Sequence, residues 1–160
     1  MKNLSPHFTD AELTIRKKVP GVDLPRLDPE SRESLVDLCE VLEIIRGEIG
    51  EAVHVTSGFR YGDPKQHGHG QAADIQVRSM DPLQLLNVIY TMGLAEVRQV
   101  IAESMHKDKA SLSRPMIKDS GLWVHVAIHG PGFERPASMP WGTSVAPPEG
   151  QDRAYVRWVP

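Results

Sequence analysis

Residues 28–49, "DPESRESLVDLCEVLEIIRGEI", constrain the fold more than any other stretch. Asp28 followed by Pro29 is an N-cap with a proline at the first helical position. Leu35, Leu38, Leu42, Ile45 and Ile49 then recur three and four apart, which lines one side of a helix with apolar side chains. Such a stripe has to be buried, so this is a core helix, loosened at its end by Gly47 and Gly50. A chain of 160 residues, 40% hydrophobic and 24% charged, builds one core around it. Cys39, the single cysteine, lies in the same apolar pattern and reads as a buried structural thiol.

Around this helix the signals are mixed. "FTDAEL" sets Thr9 three residues before Glu12, a capping box that starts a short helix at Asp10. "MDPLQLLNVIYTMG" repeats the Asp-Pro start at Asp81 and Pro82 and stops at Gly93, which predicts another helix. "AVHVTSGFR", "AADIQV", "EVRQVIAE" and "LWVHVAIH" are short and mostly rich in β-branched residues, as strands are. Residues 104–121 between the last two are expected to be a polar loop, long for a hairpin. The class expected is α+β, a small and mostly antiparallel sheet with helices packed on one side. A single domain spans 1–160, with its core over about 4–129. Residues 130–160, rich in Pro and Gly, are expected to form an irregular segment packed through Trp141, Tyr155 and Trp158.

The formal charge of −3 shows no basic excess that would favour nucleic acid. The N-terminus has no apolar run or cleavage site of the secretory kind, and nowhere do about 18 apolar residues run together. These features point to a protein made in the cytoplasm without a signal peptide and with no membrane span; a monomer is expected, though none of these features argues for one.

The chemistry concentrates in "SGFRYGDPKQHGHGQAADIQV", residues 57–77. A catalytic zinc site needs three His, Asp, Glu or Cys ligands and one open position. Alternation puts Asp74 and Gln76 on one face of their strand, and Trp123, His125 and Ala127 on one face of theirs. If the two strands are neighbours, Asp74 and His125 point from the same sheet face, and His67 folds back over them on a loop that Gly68 and Gly70 allow. The plainer alternative is a solvated loop histidine and a strand-end aspartate.

In "SGFR", "QHGHGQAAD" and "WVHV" the chain resembles the M15 family of zinc peptidases, the D-Ala-D-Ala carboxypeptidase and phage endolysin group. The usual pattern there is "SGYR", a variable loop, "SQHxxGxAAD" and a late "WVH". "LSPHFTDAEL" and the "VRQVIAE" strand also look like the phage and bacterial branch, so the resemblance covers roughly residues 4–129. It implies the small α+β fold shared with the hedgehog signalling domain, with His67, Asp74 and His125 as ligands of Zn2+. It also implies hydrolysis of peptide bonds in peptidoglycan stem peptides, by an L-alanyl-D-glutamate endopeptidase or a D-Ala-D-Ala carboxypeptidase. Without a signal peptide, a phage or prophage endolysin reaching the wall after release fits better than a housekeeping carboxypeptidase.

Arg60 matches the family arginine assigned to the substrate carbonyl or carboxylate, a task that suits a guanidinium. Many members carry Asp or Glu three residues before the last histidine, where this chain has Leu122. Glu103, ending its strand beside "WVHV", is the first candidate for general base, and Asp119 the second. His69 is a candidate to support a ligand, and His129 a candidate at the site edge. The loop between Arg60 and His67 is shorter than is usual in the family. A different class of function is an inactive relative, a metal-binding, wall-binding or phage structural module, which the replacement at Leu122 favours.

Overall fold

The computed structural model describes residues 3–14 and 27–128, and the backbone of 154–158. Helix α1 (Asp10–Leu13) begins with the expected capping box: Thr9 accepts from the Glu12 N–H, and the Glu12 carboxylate accepts from the Thr9 N–H. Helix α2 (Pro29–Ile49) starts where Asp28 accepts from the Ser31 N–H and stops at Gly50 in the left-handed region. Its stripe is core: Leu35, Leu38, Leu42 and Ile45 are completely buried. Helix α3 (Pro82–Met92) has its capping box between Asp81 and Gln84 and ends at Gly93. Local signals were enough to place these helices because caps and stripes act within one or two turns.

Strands β1 (His54–Ser57), β2 (Ala72–Gln76), β3 (Val97–Ser104), β4 (Leu122–Ile128) and β5 (Ala154–Trp158) form one antiparallel sheet in the order β1-β2-β4-β3-β5. The protein is therefore α+β, as expected. Alternation along the strands divides the sheet into two unlike faces. Ala73, Ile75, Val100, Val124, Val126 and Ile128 join α2 and α3 in one apolar cluster. Each large apolar side chain taken out of water there contributes about 1.5–3 kcal/mol. Asp74, Gln76, Trp123 and His125 lie on the opposite face.

Three expectations need correction. The strand expected over "AVHVTSGFR" is shorter, because the β1–β2 ladder ends at Ser57↔Asp74 and the chain then turns away. The segment 104–121 is not merely polar loop. It contains a 3-10 turn, Lys109–Ser113, capped by Asp108, and it buries Leu112 and Met116. The C-terminal segment is not irregular throughout: "AYVRW" pairs with β3 from Val100↔Trp158 to Ser104↔Ala154. Its β-favouring residues complete a ladder on a strand edge that would otherwise leave N–H and C=O groups unpaired. The packing expected of Trp141 and of the Tyr155 and Trp158 side chains falls outside the described residues. Among the described residues, no helix is long and apolar enough to cross a membrane.

Candidate metal centre

The sheet register brings two of the proposed ligands together. Asp74 on β2 sits directly opposite His125 on β4, and their side chains meet, His125 Nδ1 lying 2.9 Å from Asp74 Oδ1. His67 arrives from outside the sheet, on the 3-10 turn Gln66–His69. Two glycines make that turn fit. A Cβ on Gly68 would lie 1.7 Å from the Asp63 carbonyl oxygen, and Gly70, with φ +71°, closes the turn against the Ser31 carbonyl of α2. No side chain larger than hydrogen has room at either place.

His67 Nδ1 lies 2.7 Å from the Gly58 carbonyl oxygen. A carbonyl only accepts, so the ring proton sits on Nδ1 and the lone pair of Nε2 is directed to the other two residues. His67 Nε2 is 3.2 Å from His125 Nδ1 and 3.3 Å from Asp74 Oδ1. Four ligands held about 2.05 Å from a common tetrahedral centre stand about 3.3 Å apart. The three edges measured here, 2.9, 3.2 and 3.3 Å, are close to that triangle. All three residues are buried, His67 to 5%, Asp74 to 6% and His125 to 7% exposure.

Three electron-rich atoms converging at such distances in a low-dielectric site call for shared positive charge. A proton on His125 Nδ1 serves only one edge, whereas a metal ion satisfies all three lone pairs. The group His67, Asp74 and His125 therefore has the composition and spacing to hold a metal ion. Burial is the largest single influence on Asp74 and opposes its ionisation. The two imidazoles beside it, His125 and His67, outweigh it and hold the carboxyl well below the usual carboxylate range. The aspartate is thus ionised, as a ligand must be.

Arg60 completes the support of Asp74. Its Nη2 lies 2.5 Å from Asp74 Oδ2, leaving Oδ1 on the metal side, and its Nε donates to Ser57 Oγ at 2.8 Å. The Arg60 side chain remains 46% exposed, so it spans from the buried carboxylate to solvent. Thr56 Oγ1 adds a hydrogen bond to the Asp74 backbone carbonyl.

The other expected residues divide. Glu103 pairs in register with Trp123 on the face that bears His125, and its Oε2 accepts from the Trp123 indole N–H at 2.6 Å. Leu122 belongs to the apolar core at 2% exposure, facing away from His125. On this backbone a carboxylate at position 122 would enter the core and miss the metal group. Asp119 is exposed in the turn before β4, at a left-handed φ of 61°. His69 shares the turn with His67 but is exposed and outside the ligand group. His129 lies outside the described residues. Cys39 is buried, and burial, aided by the nearby Glu43 charge, pushes its thiol up to about 12, as suits an inert structural cysteine.

Two contributors had escaped the sequence. The Gly58 carbonyl has no side chain to announce it, although a glycine at a strand end is a sign of close backbone approach. Parity had put Trp123 on the face of His125, but its bond to Glu103 depends on the β3–β4 register. No protein-family model, curated protein or solved structure matches the chain.

Proposed function

We propose that the protein is a zinc-dependent peptidase of the M15 kind that hydrolyses peptide bonds in peptidoglycan stem peptides, as a phage or prophage endolysin. The observation that carries this reading is the triangle of His67 Nε2, Asp74 Oδ1 and His125 Nδ1, with Arg60 beside it and Glu103 on the same sheet face. Two imidazoles and one carboxylate with a fourth position open suit zinc in a hydrolytic site. The resemblance in "SGFR", "QHGHGQAAD" and "WVHV" supplies the substrate class.

Bound zinc would supply a Lewis acid and lower the pKa of a coordinated water. The protein's own groups supply the rest. The Gly58 carbonyl and Arg60 hold His67 and Asp74 in place. Arg60 commits Nε and Nη2 to Ser57 and Asp74, and Nη1 is where a substrate carbonyl or carboxylate would be taken. With Oε2 held by the Trp123 indole, Glu103 would use Oε1 to take a proton from the attacking water and return it to the leaving amine. Water thereby adds across the C–N bond, hydroxyl to the carbonyl carbon and proton to the nitrogen.

A second reading has its own support. Leu122 faces the core and the Glu103 carboxylate is already bonded to Trp123, an arrangement that also suits a metal-binding module without catalysis. The two readings separate on the zinc content of the purified protein, together with release of new amino and carboxyl termini from peptidoglycan with and without chelator. About one zinc per chain with chelator-sensitive cleavage is expected, and Glu103→Ala should reduce cleavage by about 100-fold or more while leaving zinc content unchanged. Bound zinc without cleavage would establish the non-catalytic module. No zinc would overturn both.

A further inference from the structure

The N-terminal segment Leu4–Leu13 reaches the metal centre through one intermediary. Glu43 on α2 holds the segment with both carboxylate oxygens. Oε1 accepts from Ser5 Oγ at 2.6 Å and from the His7 backbone N–H at 2.8 Å, and Oε2 pairs with His7 Nδ1 at 2.8 Å. Phe8 and Leu13 are buried in the main core. The Leu13 carbonyl then accepts from the Phe59 N–H at 2.6 Å. It also lies so near Gly58 that a Cβ there would come within 2.2 Å of its oxygen.

The opposite side of the same three residues holds His67. The Gly58 carbonyl accepts a hydrogen bond from His67 Nδ1–H, and the Arg60 N–H donates to the His67 carbonyl at 3.0 Å. Residues 58–60 are therefore sandwiched between Leu13 and His67. They have already left the β1–β2 ladder, whose last pair is Ser57↔Asp74, so Leu13 replaces the neighbouring strand they lack. A metal-binding imidazole points where the partner of its second nitrogen directs it. Here that partner is a backbone carbonyl whose own position depends on the N-terminal segment.

We infer that Leu4–Leu13 is a clasp that sets the position of His67, with Ser5, His7 and Glu43 as its latch. These three are positioning residues, remote from any reacting atom. Only the zinc readout below rests on the reading of His67, Asp74 and His125 as metal ligands. The hydrogen bond from His67 to Gly58 is tested without metal.

The experiment compares wild type with Ser5→Ala/His7→Ala. One readout is the His67 Nδ1–H signal in nitrogen-15 NMR of the metal-free protein, and the other is zinc affinity by competition with a chromophoric chelator. The double variant should lose or broaden that proton signal and bind zinc about tenfold more weakly, the scale seen when an outer support of a ligand is removed. Leu86→Ala on α3, assayed where its loss of thermal stability matches, should change neither. An unchanged signal and affinity in the double variant would overturn the clasp, as would an equal change in Leu86→Ala. If the double variant does not fold, Glu43→Gln is measured in the same way, and wild-type values there overturn the proposal equally. A wild type that takes up no zinc, yet loses the His67 signal when the latch is cut, would sink the metal reading and leave the clasp standing.

Discussion

The two faces of strand β4 are built from adjacent residues and do opposite things. Val124, Val126 and Ile128 are packed against helices, where many apolar contacts share the load. Trp123 and His125 take part in a small polar network, Trp123 with Glu103 and His125 with Asp74 and His67. The apolar face is redundant and the polar face is not. A core tolerates exchanges that keep its volume, whereas a ligand triangle loses its purpose when one vertex is removed.

The sharpest way to break this contrast is His67→Ala. It should abolish metal binding and any peptide hydrolysis while leaving the circular dichroism of the fold intact. Normal zinc stoichiometry in that variant would remove His67 from the ligand set. The reverse experiment is Leu42→Ala, which opens a cavity beneath the sheet. It should cost about 2–5 kcal/mol in urea unfolding and leave zinc stoichiometry unchanged in the folded fraction. A loss of zinc out of proportion to unfolding would show that the two faces are more tightly coupled than their separate contacts indicate.

The smallest effect expected concerns pH. Burial, the largest influence on Glu43, opposes its charge, but hydrogen bonds from Ser5 and His7 outweigh it and lower its pKa from the ordinary 4.5. A group whose pKa is lower folded than unfolded stabilises the protein above the unfolded value, and that contribution disappears as pH falls through the folded value. Glu43→Gln should therefore lower the melting temperature near neutrality, and the difference from wild type should shrink below about pH 4.5. The effect should be about 1 kcal/mol at most, because the pair with His7 is partly exposed. A difference that grows in acid would show the reasoning to have the wrong sign.

Much of the fold was legible because its signals were local. Asp28 and Pro29, Thr9 and Glu12, and Asp81 and Pro82 each announce a helix start within four residues. Asp74 and His125 were legible as a pair by parity once β2 and β4 were taken as neighbours, and His67 was added from its glycine-flanked loop and the family resemblance. Their pairing was a condition in the sequence and became the register Asp74↔His125 in the structure. The backbone carbonyl behind His67 was not legible, since it depends on where Gly58 meets a turn nine residues away. Nor was the strand at 154–158, whose "AYVRW" pattern was masked by the Pro- and Gly-rich stretch around it.

By itself the sequence determined the helix starts and the α+β class, because these follow from local dihedral preferences and side-chain periodicity. It offered His67, Asp74 and His125 as ligands only on the condition that β2 and β4 are neighbours. Only the tertiary structure decided which face Leu122 occupies, that Glu103 meets Trp123, and that the N-terminal segment stands behind His67. Those outcomes depend on contacts between residues from 20 to nearly 60 positions apart, as in Trp123 with Glu103 and His67 with His125. Such contacts exist only once the chain has closed its loops and set its register.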